Sequence, residues 1–178
     1  MPTDFIETLH SWQNFYFMAG SASAGLLGLM FVALSLGLHL VSRTTPAQFE
    51  AFATPSVLYL VAVLLIAGVM LVPAFAPPVL GAVLLLGGTL GLARTSRHVR
   101  HLIRTAIEYQ DFTVMDWLAQ IIFPVVSHLL MMVSGLCFLI DQSPLAFASL
   151  WLATILLLIA AIANTWSLVI WIIGQPPP

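Results

Sequence analysis

The sequence predicts an all-α, polytopic membrane protein: one bundle of five transmembrane helices with a short N-terminal amphipathic helix. Three observations carry this. Of 178 residues, 61% are hydrophobic and 7% charged, whereas soluble domains carry about 25% charged residues. So few charges cannot cover a water-exposed surface. Hydrophobic stretches recur at spanning length, for which about 20 apolar residues are needed. The cations are confined to Arg43 and a cluster, Arg94, Arg97, Arg100 and Arg104, with no lysine anywhere. No charge block, low-complexity tail or Gly/Ser linker divides the chain, so residues 1–178 read as a single integral membrane domain. A net charge of −2 gives nucleic acid no purchase.

The spans fall at about 15–41, 49–72, 75–94, 117–140 and 145–173. Ahead of the first, Phe5, Leu9, Trp12 and Tyr16 share a face opposite Asp4, Glu7 and Ser11. That pattern predicts an amphipathic helix lying at the interface or running on into the span. No Lys or Arg precedes Arg43, and the small Ala22-Ser23-Ala24 stretch comes before the apolar core. This is the wrong order for a cleaved signal peptide, so the first segment is expected to stay. The second helix opens on Thr45-Pro46-Ala47-Gln48, with an N-cap hydroxyl, proline at the first helical position and a capping-box glutamine. Pro55 should bend this helix, and Pro124 the fourth.

The third segment, Val79–Ala93, is short unless Ala74–Pro78 and the start of the arginine cluster are included; Arg94 can snorkel to the interface. The arginines argue that it spans. With five spans, Arg43 and the cluster fall on one side; with four, on opposite sides. The positive-inside rule therefore predicts an outside N-terminus, a cytoplasmic C-terminus and a basic helical extension over 94–111 in the cytoplasm. Trp12 and Trp151 then lie at the outer interface, and Trp117, Trp166 and Trp171 at the inner one. The Pro73–Pro78 and Asp141–Pro144 connections are tight, which predicts that each joins antiparallel neighbours. The expected location is a cell membrane, crossed several times.

Two rows of small or polar residues run along predicted helices. On the first, Ser21, Gly25, Gly28, Val32, Ser35, His39 and Ser42 alternate four- and three-residue spacing and so share a face. Gly20, Ala24 and Gly28 add the small-xxx-small pattern by which membrane helices approach closely, and Gly87 and Gly91 repeat it on the third helix. Ordinary packing within the bundle accounts for such a face, as does a pore lining or subunit contact. On the fourth helix, Asp116, Gln120, Pro124, Ser127, Met131, Ser134, Phe138 and Asp141 form the second row, with bulky Phe138 interrupting it. His128 sits beside Ser127 at mid-span. Ionisable groups at such depth are costly and turn toward a bundle interior or cavity, which makes His128 a candidate; a neutral imidazole with one hydrogen bond is the plainer reading. Asn164 on the fifth span is placed to hydrogen-bond between helices.

The middle of the first row, from Gly25 to Ser35, lies within Ala24-Gly25-Leu26-Leu27-Gly28-Leu29-Met30-Phe31-Val32-Ala33-Leu34-Ser35-Leu36. This segment resembles the first helix of small bacterial integral membrane proteins, some labelled as modulators of a membrane-bound protease. The resemblance spans about 25 residues and implies a bacterial inner-membrane protein; no catalytic residue carries over.

Arg94, Arg97, Arg100 and Arg104 share one face beyond the third span. Their three-residue spacing is that of a voltage sensor, but Thr95, Ser96, His98 and His101 stand where such a helix is apolar. Contact with anionic lipid headgroups is expected instead. His98 and His101 share a face and, with His39 and Glu50, suggest a weak metal site. Cys137, the only cysteine, excludes a disulfide within the chain and reads as a packing residue. No nucleophile motif, phosphate loop or catalytic acid pair occurs, so no cofactor is expected and an enzyme is the less favoured of the readings.

Two polar rows exceed what five-helix packing requires. They predict a homo-oligomeric channel for a small ion, lined by Ser21, Gly28, Ser35 and His39 or by Gln120, Ser127, His128 and Ser134. Asp141 would ring its outer end and Asp116 its inner end. The alternatives are a non-catalytic assembly or regulatory subunit of a membrane complex and, third, a metal-dependent or lipid-active membrane enzyme.

Overall fold

The computed structural model describes residues 3–40, 46–72, 75–106 and 117–173, with side chains placed over 5–35, 54–72, 75–100, 117–167, 169 and 170. Every element among them is helical: α1 (Thr3–Leu40), α2 (Pro46–Leu71), α3 (Pro77–Ala106), a π-helical turn (Leu118–Ile122) leading into α4 (Phe123–Leu139), and α5 (Ser143–Ile173). Five stretches are long and apolar enough to cross a membrane: Phe5–Ser35, Thr54–Leu71, Pro77–Arg100, Leu118–Leu139 and Ser143–Ser167. The third segment thus reaches spanning length by continuing helically through its arginines. Helices suit lipid because each satisfies its own backbone hydrogen bonds.

The N-terminal residues do not form a separate element. They belong to α1, whose 38 residues extend to about 57 Å at about 1.5 Å per residue, nearly twice the hydrocarbon core of about 30 Å. Phe5, Leu9 and Tyr16 turn into the core while Glu7 and Ser11 stay exposed. Aromatic rings hold this end of α1 to the rest of the bundle. Trp12 stacks on Phe147 of α5 at 6.1 Å and 6°. Phe5 meets Phe138 of α4 edge-on at 6.1 Å and 84°, and Phe138 meets Phe147 at 5.3 Å and 86°. Such offset and edge-to-face pairs are favourable beyond their buried area. Phe138, an interruption of the α4 row in the sequence, is a core residue.

Proline acts differently at its two helical positions. Pro55 is accommodated inside a continuous α2. Pro124 has no N–H for the Gln120 carbonyl, and its ring crowds that turn. The chain just before it widens to π geometry, with the Phe123 N–H bonding five residues back to Leu118, a relief that proline commonly induces. At the other end α4 stops on Asp141 in the left-handed region (φ 61°). The Gln142 N–H reaches back to the Cys137 carbonyl at 2.8 Å, the Schellman closure of a helix. Aspartate is among the few non-glycine residues that adopt this conformation readily.

Helix packing follows the order α3, α4, α5, α2, α1, with α1 also touching α5. Neighbours alternate in direction, so the C-terminal ends of α1, α3 and α5 gather with the N-terminal ends of α2 and α4. The tight α4–α5 turn joins packed antiparallel neighbours. The α2–α3 connection does not: α2 and α3 scarcely touch. The reason lies in α3, whose closest-packing face is spent on α4. A Cβ built on Gly81 would meet the Gly135 carbonyl oxygen at 2.7 Å, and one on Gly88 would meet Met132 and the His128 carbonyl.

Two serines tie helices together directly. Ser23 of α1 donates to the Leu60 carbonyl of α2 at 2.6 Å, and Ser134 of α4 donates to the Ala146 carbonyl of α5 at 2.8 Å. Ser23→Ala and Ser134→Ala should each cost about 0.6 kcal/mol, the average for such bonds in membrane bundles. Equilibrium unfolding in mixed micelles would measure the loss.

Candidate functional site

The two rows singled out in the sequence differ in what they face. In α1, Ser21, Gly25, Gly28, Val32 and Ser35 are all exposed. Outside its own helix no atom lies within 4 Å of a Cβ built on Gly25 or Gly28, so at these two positions the row packs against nothing in its own bundle. Gly20 behaves otherwise: its Cβ would stand 2.9 Å from the Ala67 Cβ of α2. The small-xxx-small set therefore splits, Gly20 facing inward and Ala24 and Gly28 outward. The side chain of His39 lies outside the described residues.

The α4 row is turned inward. Gln120, Ser127, Ser134 and Phe138 are buried, as is His128 at 6% exposure. The hydroxyls of its serines are absorbed locally or by the neighbouring helix: Ser127 donates to the Phe123 carbonyl at 2.7 Å, and Ser134 to α5. His128 Nδ1 lies 2.5 Å from the Pro124 carbonyl. A carbonyl only accepts, so Nδ1 carries the proton and, in the neutral ring, Nε2 is the acceptor nitrogen. The ring lies flush on α3, since a Cβ on Gly91 would overlap its Cδ2 and Nε2. Gln120 and Asn164 are also buried, and their amide groups have no hydrogen-bond partner among the described residues. Asp141 is exposed at the α4–α5 turn; Asp116 lies outside the described residues.

At the opposite end from Asp141, α3 carries Arg94, Arg97 and Arg100, with Arg94, Arg97 and Arg100 all reaching the surface. Arg100 donates from Nε to the Ser96 carbonyl at 3.2 Å. The α3 helix continues through Ala106, but the side chains of His101 and Arg104 lie outside the described residues, as does that of Glu50. Among the described residues no three His, Cys, Asp or Glu side chains gather as a metal site would need. Cys137 is buried with a free thiol.

One feature was not legible beforehand: a crevice of about 730 Å³ between α2 and α3, reaching from Val69 and Val83 to Arg94, Arg97 and His98. Tyr59 and Thr95, which no motif distinguishes, line it from its two sides. His128 and Met131 of α4 contribute to its lining. The sequence signal was present in α3 as a continuous face passing from apolar to basic, but its facing α2 wall is largely apolar and reads like any lipid-facing helix. Compared with protein-family models, curated proteins and solved structures, the chain matches none of them.

Proposed function

We propose that this protein works as a homo-oligomer joined through the outward face of α1, with the Ser21–Ser35 row at the shared axis forming a permeation path for a small ion. The observation that carries the reading is the open space over Gly25 and Gly28 on a helix whose small residues face away from its own bundle. Between membrane helices there is no hydrophobic gain in association, so close approach of backbones over small residues supplies the contact energy. Lipid chains fill such a face less well than a second helix does. Of the two rows, that of α1 supports a path between subunits, because the α4 row is filled by its own neighbours. The arginine distribution supports an outside N-terminus, and the resemblance of residues 24–36 supports a bacterial inner membrane.

A second reading uses the same face for a helix of a different protein, making the chain a non-catalytic regulatory subunit; the similarity of residues 24–36 to protease modulators favours it. One pair of substitutions tests both. The Cβ atoms added by Gly25→Leu with Gly28→Leu meet nothing inside the bundle, so the folding and thermal stability of the monomer should be unchanged. Chemical cross-linking in liposomes should show the wild-type oligomer lost at least tenfold in the variant, together with ion flux. A wild-type chain that is monomeric and without flux at high protein density overturns the homo-oligomeric reading. Co-purification of a stoichiometric membrane partner, lost in the same variant, would establish the second.

A further inference from the structure

We infer that the crevice between α2 and α3 is a binding site for one anionic phospholipid taken from the bilayer, its phosphate held at Arg94 and Arg97 and an acyl chain lying along the apolar walls. The inference is independent of how α1 associates.

The α3 wall is one helical face, Val83, Gly87, Leu90, Arg94 and Arg97, at alternating spacings of four and three. Read along the helix it is apolar for about two turns and then cationic, the profile of an amphiphile. Opposite it, α2 gives a wall that is apolar through Leu58, Ala62, Leu65 and Val69, with its polar side chains, Thr54 and Tyr59, at the cationic end. The crevice is open sideways: Leu65 is 65% and Leu90 70% exposed, so a chain can enter from the hydrocarbon without crossing the bundle. Its volume of about 730 Å³ lies in the range of roughly 300–1,000 Å³ typical of ligand pockets. An apolar cleft of this size left unfilled would forfeit dispersion contacts along both walls, and acyl chains are the surrounding medium.

Charge selects the headgroup. Among the residues with described side chains, the only carboxylates are Glu7 and Asp141. Both lie at the other end of the bundle, the end that holds Phe138 and Phe147. Arg94 and Arg97 can pair with phosphate bidentately. Tyr59 and Thr95, both buried, line the crevice at its cationic end, where the headgroup would sit.

The test uses the full chain reconstituted in nanodiscs of equal phosphatidylglycerol and phosphatidylcholine, then extracted and examined by native mass spectrometry. The expected result is about one retained phospholipid per chain, with phosphatidylglycerol favoured by about tenfold or more, as two basic groups near an anionic headgroup imply. In R94Q/R97Q that preference should fall to near unity, and Arg94→Lys with Arg97→Lys should restore part of it. Ala62→Phe, which fills the apolar wall, should abolish retention; Val83→Trp on the opposite lip replaces it if the first variant fails to fold. Retention unchanged by both fillings means that the lipid is annular and overturns the site. So does displacement by millimolar inorganic phosphate, which marks a site for free anions, or a preference unaltered in R94Q/R97Q.

Discussion

Gly91→Ala is expected to destabilise the bundle by about 3 kcal/mol, at the upper end of what overpacking costs. The added Cβ would overlap Cδ2 and Nε2 of His128, a rigid ring that cannot bend aside as a methionine could. Nor can the ring rotate freely, because Nδ1 is bound to the Pro124 carbonyl; moving it forfeits that hydrogen bond inside a medium that offers no replacement. His128→Ala alone should cost about 2 kcal/mol by leaving a space on α3. In the double variant, the methyl group introduced on α3 occupies part of that space. The two effects should therefore fail to add, the double being more stable than their sum by about 2 kcal/mol. Mixed-micelle unfolding of the four proteins completes the cycle. Strict additivity would show that the ring does not rest on Gly91 in the membrane, and would return His128 to the role of an unpacked ionisable group facing a cavity.

This histidine illustrates how far the sequence reaches. Five helices long and apolar enough to span a membrane were legible from length and composition alone. The short third segment reaches that length because its helix runs on through the arginines to Arg100. What faces what was not legible. Gly20 and Gly25 belong to the same run of small residues, yet one packs on Ala67 and the other on nothing; periodicity places residues on a face but does not say what that face meets. The Pro73–Pro78 connection is short, yet shortness constrains only the ends of α2 and α3. With α3 committed to α4 by its glycines, the remainder of the two helices stands apart. Pro124 announced a disturbance in the fourth helix, but whether the backbone would bend or take up a π turn depends on the surrounding contacts. The α4 row looked hydrophilic enough to line water, yet its serines spend their hydroxyls on helix carbonyls, which a one-dimensional pattern does not reveal.

A graded response is expected along the glycines that lack a ring opposite them, with Gly135→Ala the most damaging. A Cβ there would meet the Gly81 carbonyl oxygen at 2.7 Å, Leu85 Cγ at 2.8 Å and the Leu85 amide nitrogen at 2.9 Å. Two of these atoms are backbone and cannot swing away, so α3 and α4 must separate along their length. A loss of about 3 kcal/mol or more follows from overpacking together with the contacts given up on both helices. Gly87→Ala meets only Met131, its terminal methyl at 2.7 Å, and methionine adapts; less than about 1 kcal/mol is expected. Gly25→Ala and Gly28→Ala meet nothing and should leave the monomer unchanged. Thermal stability in detergent, measured at a protein concentration where the chain is monomeric, reads the series. Equal responses at all four positions would mean that helix propensity rather than close approach governs them. The predicted order has a further consequence for the crevice. α3 is held to the bundle chiefly by α4 and scarcely touches α2. Forcing α3 off α4 at Gly135 shifts the wall that carries Arg94 and Arg97, so the variant should lose its anionic-lipid preference even in the fraction that stays folded.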